Sequence, residues 1–157
     1  MFKRKIYDKL LTWKKESDGR TALLIEGARR VGKSTVVEEF AKNEYQSYIL
    51  VDFSTASKTV RDLFQDLSDL DYIFLQLQLQ YKTDLVKRNS LIIFDEVQLC
   101  PPARQAIKSL VRDHRYDYVE TGSLISIRIL EKYLVYTRDF RKEKDIQCIP
   151  VYMVPFL

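Results

Sequence analysis

Eight consecutive residues, Gly27-Ala28-Arg29-Arg30-Val31-Gly32-Lys33-Ser34, have the types and spacing needed to hold a phosphate. They match the pattern G-x-x-x-x-G-K-[ST] in full. Gly27 and Gly32 are expected to adopt backbone angles that other residues avoid, turning successive N–H groups inward around an anion. A helix starting at this point adds the positive end of its dipole. Lys33 then reaches the β- and γ-phosphates, the Ser34 hydroxyl is the expected ligand of Mg²⁺, and Thr35 completes the first turn. The chain has four glycines, and two of them stand here. The competing reading is a chance match in an ordinary strand–turn–helix; the complete pattern and its context argue against it.

A second signal lies downstream. Leu91-Ile92-Ile93-Phe94 is a short apolar run that ends in Asp95-Glu96. Acids at the carboxyl end of such a strand sit where open α/β sheets bind ligands. Asp95 is expected to hold Mg²⁺, and Glu96 to polarise an attacking water. Two acids ending a strand in solvent would be the bland explanation, and following a complete phosphate loop it is the weaker one. Thr121-Gly122-Ser123 closes a further strand at the same edge, where the Ser123 hydroxyl can meet the γ-phosphate or the water. A simple turn explains that triplet almost as well.

These residues need a scaffold that brings them together. Ile6, Leu10, Leu11 and Trp13 mark one face of a helix over Ile6–Lys15, which Asp18-Gly19 ends. Ala22–Ile25, Tyr48–Phe53, Leu91–Phe94 and Tyr116–Glu120 read as strands, the continuously apolar ones as strands buried on both faces. Helices are expected after the phosphate loop (Val36, Val37, Phe40), over Ser57–Leu70, along the Phe74, Leu77, Tyr81, Leu85 stripe to Arg88, and from Pro101-Pro102 onward. Strands alternating with helices predict a mostly parallel sheet between helical layers.

The 157-residue length suits one domain, and 46% hydrophobic residues suffice for a core. Lys plus Arg exceed Asp plus Glu by only 26 to 22, with both signs spread along the chain, so the charge pattern does not call for nucleic acid. No apolar run is long enough to span a bilayer, and the N-terminus lacks a signal-peptide pattern. Cys100 and Cys148 are far apart and match no metal spacing, and two thiols without a signal-peptide pattern are expected in a reducing, cytoplasmic setting.

In its Gly-Ala-Arg-Arg-Val-Gly-Lys-Ser, Leu-Ile-Ile-Phe-Asp-Glu-Val-Gln and Glu-Thr-Gly-Ser-Leu stretches the chain resembles prokaryotic predicted ATPases of the AAA superfamily, which join an AAA domain to a C-terminal domain of unknown function. The resemblance runs from about Lys5 to Ile127, and Asp95-Glu96-Val97-Gln98 is its most distinctive part. It implies an AAA-type P-loop three-layer α/β sandwich, ATP held by residues 27–35 and Ser123, Mg²⁺ at Ser34 and Asp95, and catalysis by Glu96 with Lys33. It also implies a division into an ATP-binding domain, 1–128, and a divergent or truncated tail, 129–157, with the fold incomplete at the C-terminus.

Hydrolysis driving an unknown process is the favoured function. A small P-loop kinase is the less favoured alternative, since such kinases normally lack a strand-terminal Asp-Glu pair. A truncated, non-catalytic nucleotide-binding or interaction module is the main alternative. A GTPase is disfavoured, since no Asn-Lys-x-Asp occurs. A protein partner or a homo-oligomer is compatible with each. Arg112, Arg115 and Arg128 are unranked arginine-finger candidates. His114 is expected at a helix C-terminus and Trp13 in the core, rather than in catalysis.

Overall fold

The computed structural model describes residues 2–123, 133–136, 141–143 and 146–150, with side chains described over 5–123. The order is α1 (Phe2–Ser17), β1 (Leu23–Gly27), α2 (Lys33–Glu44), β2 (Ser47–Asp52), α3 (Lys58–Asp62), α4 (Leu70–Tyr81), β3 (Ser90–Asp95), α5 (Pro101–Asp113) and β4 (Asp117–Ser123). Strands β5 (Tyr133–Tyr136), β6 (Arg141–Glu143) and β7 (Ile146–Pro150) form a separate small sheet in the order β5-β7-β6.

The main sheet has the order β1-β4-β3-β2, and its strands are all parallel. Its two faces carry two cores. On one, α1 and α2 cover Ile25, Leu91, Ile93 and Val119. On the other, α3 to α5 cover Ile49, Val51, Ile92, Phe94 and Tyr118. Every residue of β3 is buried, as a strand with a helical layer on each side must be. Phe53, Phe64 and Phe94 meet edge-to-face at 5.2–5.9 Å, locking α3's end against β2 and β3. The expected three-layer α/β architecture is therefore present.

Two helices differ from expectation. Ser57–Leu70 is not one helix: α3 gives way to a 3₁₀ turn over Leu63–Gln65, and the chain leaves helical geometry before α4. Aspartates cause the break. Asp66 accepts from the Ser68 N–H at 2.9 Å, and Asp69 caps α4 by accepting from the Tyr72 N–H at 3.0 Å. The Phe74–Leu85 stripe also stops short of Arg88, because Lys82 takes a left-handed conformation (φ 49°) after Tyr81. Leu85 still packs on the core, so hydrophobic spacing outlasted the helix. By contrast, α1 ends as expected at Asp18 (φ 45°) and Gly19 (φ 73°). The φ is what requires glycine at 19; a Cβ there would also fall 2.3 Å from the Arg88 guanidinium, the movable end of a long side chain.

Among the described residues two buried acids belong to no ion pair, Asp95 at the loop end of the sheet and Glu120 away from it. Glu120, on the α5 face of β4, is 5% exposed, and one carboxyl oxygen has no hydrogen-bond partner. Burial pushes its carboxyl up to about 7, against the pull of Arg104 and with a small push from Glu26. With the folded value above the ordinary 4.5, its contribution to stability is full below pH 4.5 and is lost as pH rises through about 7. Glu120→Gln is expected to leave stability near pH 4.5 almost unchanged and to raise it at pH 8 by up to about 3 kcal/mol. Urea denaturation at the two pH values measures this; equal effects at both would contradict it.

Candidate active site at the carboxyl end of the sheet

The parallel register brings three distant stretches to one edge. Gly27 pairs with Ser123, and Asp52 pairs with Asp95, so the ends of β1, β2, β3 and β4 align. The Gly27–Ser34 loop leaves β1 there and enters α2 at Lys33. Its left-handed positions are Arg30 (φ 59°) and Gly32 (φ 83°). Gly27 instead closes the β1 ladder, so the expectation of unusual angles at both glycines holds at Gly32 and moves from Gly27 to Arg30. A Cβ at residue 32 would meet nothing within 4 Å, so the glycine serves the backbone angle, not the space.

Lys33 is the only buried lysine among the described residues, at 6% exposure. Its ammonium donates to the carbonyls of Gly27 (3.2 Å) and Ala28 (2.6 Å), across the mouth of the loop. Burial lowers its pKa, while the charges of Glu96 and Asp95 oppose the shift. The Ser34 hydroxyl donates to Asp95 Oδ1 at 2.6 Å, over 61 residues of sequence. Thr121 donates to the same carboxylate oxygen, and its hydroxyl accepts the Glu96 N–H at 3.2 Å.

Glu96 stands just past β3 in a left-handed conformation (φ 53°, ψ 47°), unusual for a residue with a side chain. Such strain persists only where surrounding contacts enforce it. Here the enforcing contacts are Thr121 on the backbone, Ser123 donating to Oε1 at 2.8 Å, and Gln98 donating to Oε2. The hydroxyl at Ser123 thus touches the acid expected to act on water.

Ala28, Arg29, Arg30, Val31 and Thr35 are exposed around this centre, and no side-chain contact joins Arg29 or Arg30 to it. Arg112 and Arg115 lie at the far end of the sheet. Arg115 precedes β4 and pairs with Asp113 and Asp71, while Arg112 borders a surface pocket with Asp18 and His114. Arg128 is outside the described residues. His114 caps α5, as expected, with φ 64°. Trp13 is half-buried and donates to Thr21 at 3.2 Å, at the opposite end of β1 from the loop, inside an open groove of about 950 Å³ walled by Leu10 and Leu23. That groove is lined mainly by apolar residues, with Lys9 and Glu16 among its lining.

Two further residues at this centre, Thr121 and Gln98, carry no strong signal of their own in the sequence. Thr121 is one hydroxyl in the Thr-Gly-Ser triplet, yet it bonds both Asp95 and the Glu96 backbone. Gln98 was visible only as the last letter of Asp-Glu-Val-Gln. The available signal was spacing: one 3₁₀ turn, Val97–Leu99, folds residue 98 back onto residue 96.

The donor set can accommodate a divalent cation. A hydroxyl and a carboxylate oxygen in contact, Ser34 and Asp95, are hard oxygen ligands of the kind Mg²⁺ takes beside phosphate oxygens and water. Among the described residues no helix is long and apolar enough to cross a membrane. No curated protein matches the chain. A family model described as an AAA domain matches residues 19–135, a span that contains the loop, the Asp-Glu pair and all four strands of the main sheet. The chain thus belongs to the AAA domain family of nucleotide-binding, ATPase-like proteins.

Proposed function

We propose that this protein binds ATP with Mg²⁺ and hydrolyses the terminal phosphate, within a domain spanning residues 1–128. The observation that carries the reading is the 2.6 Å contact of Ser34 with Asp95, which joins the phosphate loop to the acidic strand end beside Glu96. In this reading residues 27–34 and 123 act as the nucleotide cradle, a Walker A loop facing a Walker B strand end. Inward N–H groups of the loop and the α2 N-terminus bind the phosphates. Lys33 leaves the carbonyls of Gly27 and Ala28 for the β- and γ-phosphate oxygens. Ser34 and Asp95 would hold Mg²⁺, which would supply positive charge beside the phosphates. Glu96 orients a water and accepts its proton as the water oxygen bonds to the γ-phosphorus and the bond to the β-phosphate oxygen breaks. Ser123 keeps the Glu96 carboxylate aimed. The buried thiol of Cys100 suits a reducing cytoplasm.

A second reading, nucleotide binding without turnover by the isolated chain, has one observation in its favour. Neither Arg112 nor Arg115 stands at the loop end of its own chain, so neither is placed to act in cis as a finger on this site. Calorimetric titration of the chain with ATP, followed by phosphate-release measurement on the same sample, separates the readings. ATP is expected to bind, with affinity reduced by about tenfold or more when a chelator removes Mg²⁺. Absence of binding heat together with absence of any nucleotide-dependent rise in melting temperature would overturn both.

A further inference from the structure

The acid at residue 96 is gripped by an amide whose own position is set from the neighbouring strand. Gln98 donates its side-chain N–H to Glu96 Oε2. A carboxylate accepts only from the amide nitrogen, which settles the orientation of Gln98 and sends its Oε1 the other way. That oxygen is buried and has no hydrogen-bond donor. A buried carbonyl without a donor is unfavourable, and natural proteins retain one where the group's other contacts require it. The oxygen faces Gly122 of β4: a Cβ at residue 122 would lie 3.3 Å from it, tighter than ordinary contact. Gly122 is not among the left-handed glycines, so its lack of a side chain serves space, as glycine in a strand interior does where another group approaches closely.

We propose that Gln98 and Gly122 form a positioning pair for Glu96: Gly122 leaves the gap into which Gln98 packs, and Gln98 with Ser123 holds the two carboxylate oxygens at a fixed angle toward the nucleotide. The pair rests on the hydrolytic reading above. It explains why a strand-ending acid with strained backbone has both side-chain oxygens engaged by donors from two different elements. It also gives Gly122 a role that a turn between Thr121 and Ser123 does not need.

A double-mutant cycle tests the pair. Gln98→Met keeps the length of the side chain and removes the donor; it is expected to lower kcat for phosphate release by about 10- to 100-fold with KM changed less than about threefold. Gly122→Ala is expected to lower kcat in the same way, by displacing Gln98. With Gln98→Ala, which empties the gap, Gly122→Ala is expected to add little further loss, whereas independent structural damage would multiply. Melting temperature and ATP affinity of each variant report whether the fold and cradle persist. Equal kcat in wild type and Gln98→Met, or full multiplication in the cycle, would overturn the pair.

A readout independent of turnover keeps the two claims apart. In amide NMR spectra the Gln98 side-chain N–H pair is expected to shift on Glu96→Gln far more than those of Gln76, Gln78, Gln80 or Gln105, and to shift on Gly122→Ala. If wild type releases no phosphate while these shifts appear, the hydrolytic reading fails and the contact stands. If they do not appear, the pair fails whatever the turnover.

Discussion

Replacing Lys33 with methionine is expected to weaken ATP binding at least about 100-fold, near 3 kcal/mol, while leaving the unliganded protein as stable as before or more so. The two halves of this prediction share a cause. Lys33 is almost fully buried, and burial disfavours its charge, as its lowered pKa records. The ammonium is partly compensated by the Gly27 and Ala28 carbonyls and by the nearby charges of Asp95 and Glu96. A buried charge held this way contributes little to folding and much to a polyanion that arrives with its own negative charge. Methionine keeps the stem's volume and removes the charge. Calorimetry for binding and thermal denaturation without nucleotide check the two parts. ATP affinity within about threefold of wild type would remove Lys33 from the site.

Glu96→Gln should separate binding from chemistry. ATP affinity is expected to stay within about threefold of wild type, and phosphate release to fall about 10²- to 10⁴-fold, the range typical for loss of a general base. Glutamine has almost the same shape, can still accept from Ser123, and can meet Gln98 if that amide turns over. It cannot take a proton from water. Its backbone remains left-handed under the Thr121 contact, so the substitution tests the charge rather than the fold. Phosphate release at saturating ATP is the measurement. An undiminished rate would exclude Glu96 as the base.

Much of the site was legible from local pattern. Gly32-Lys33-Ser34 had to begin a helix after an apolar strand, because glycine spacing and the apolar run of Ala22–Ile25 allow little else, and α2 does begin at Lys33. That strand is nevertheless only half-buried, because it lies at the sheet edge rather than between two neighbours. Asp95-Glu96 had to end a strand, since β3 is apolar until that point. Local pattern failed where hydrophobic periodicity competed with short polar side chains. Asp66 and Asp69 drew backbone N–H groups out of helical geometry in a stretch whose apolar residues kept helical spacing. Lys82 ended α4 without glycine or proline, the usual marks of a stop.

What the amino-acid sequence alone determined was the side chains available and the elements bearing them: a glycine-framed loop with Lys33 and Ser34, an acidic strand end, and alternating strands and helices. Those are properties of neighbours in the chain, set by backbone freedom and apolar spacing. What only the tertiary structure decided was which distant groups touch. The order β1-β4-β3-β2 seats β4 between β1 and β3, and so puts Thr121 against Asp95 and Ser123 against Glu96. The same packing leaves Arg112 and Arg115 at the far end and brings Gln98 against Gly122. Strand order follows from how the two helical layers bury both faces of the sheet, and that depends on the whole core rather than on any segment.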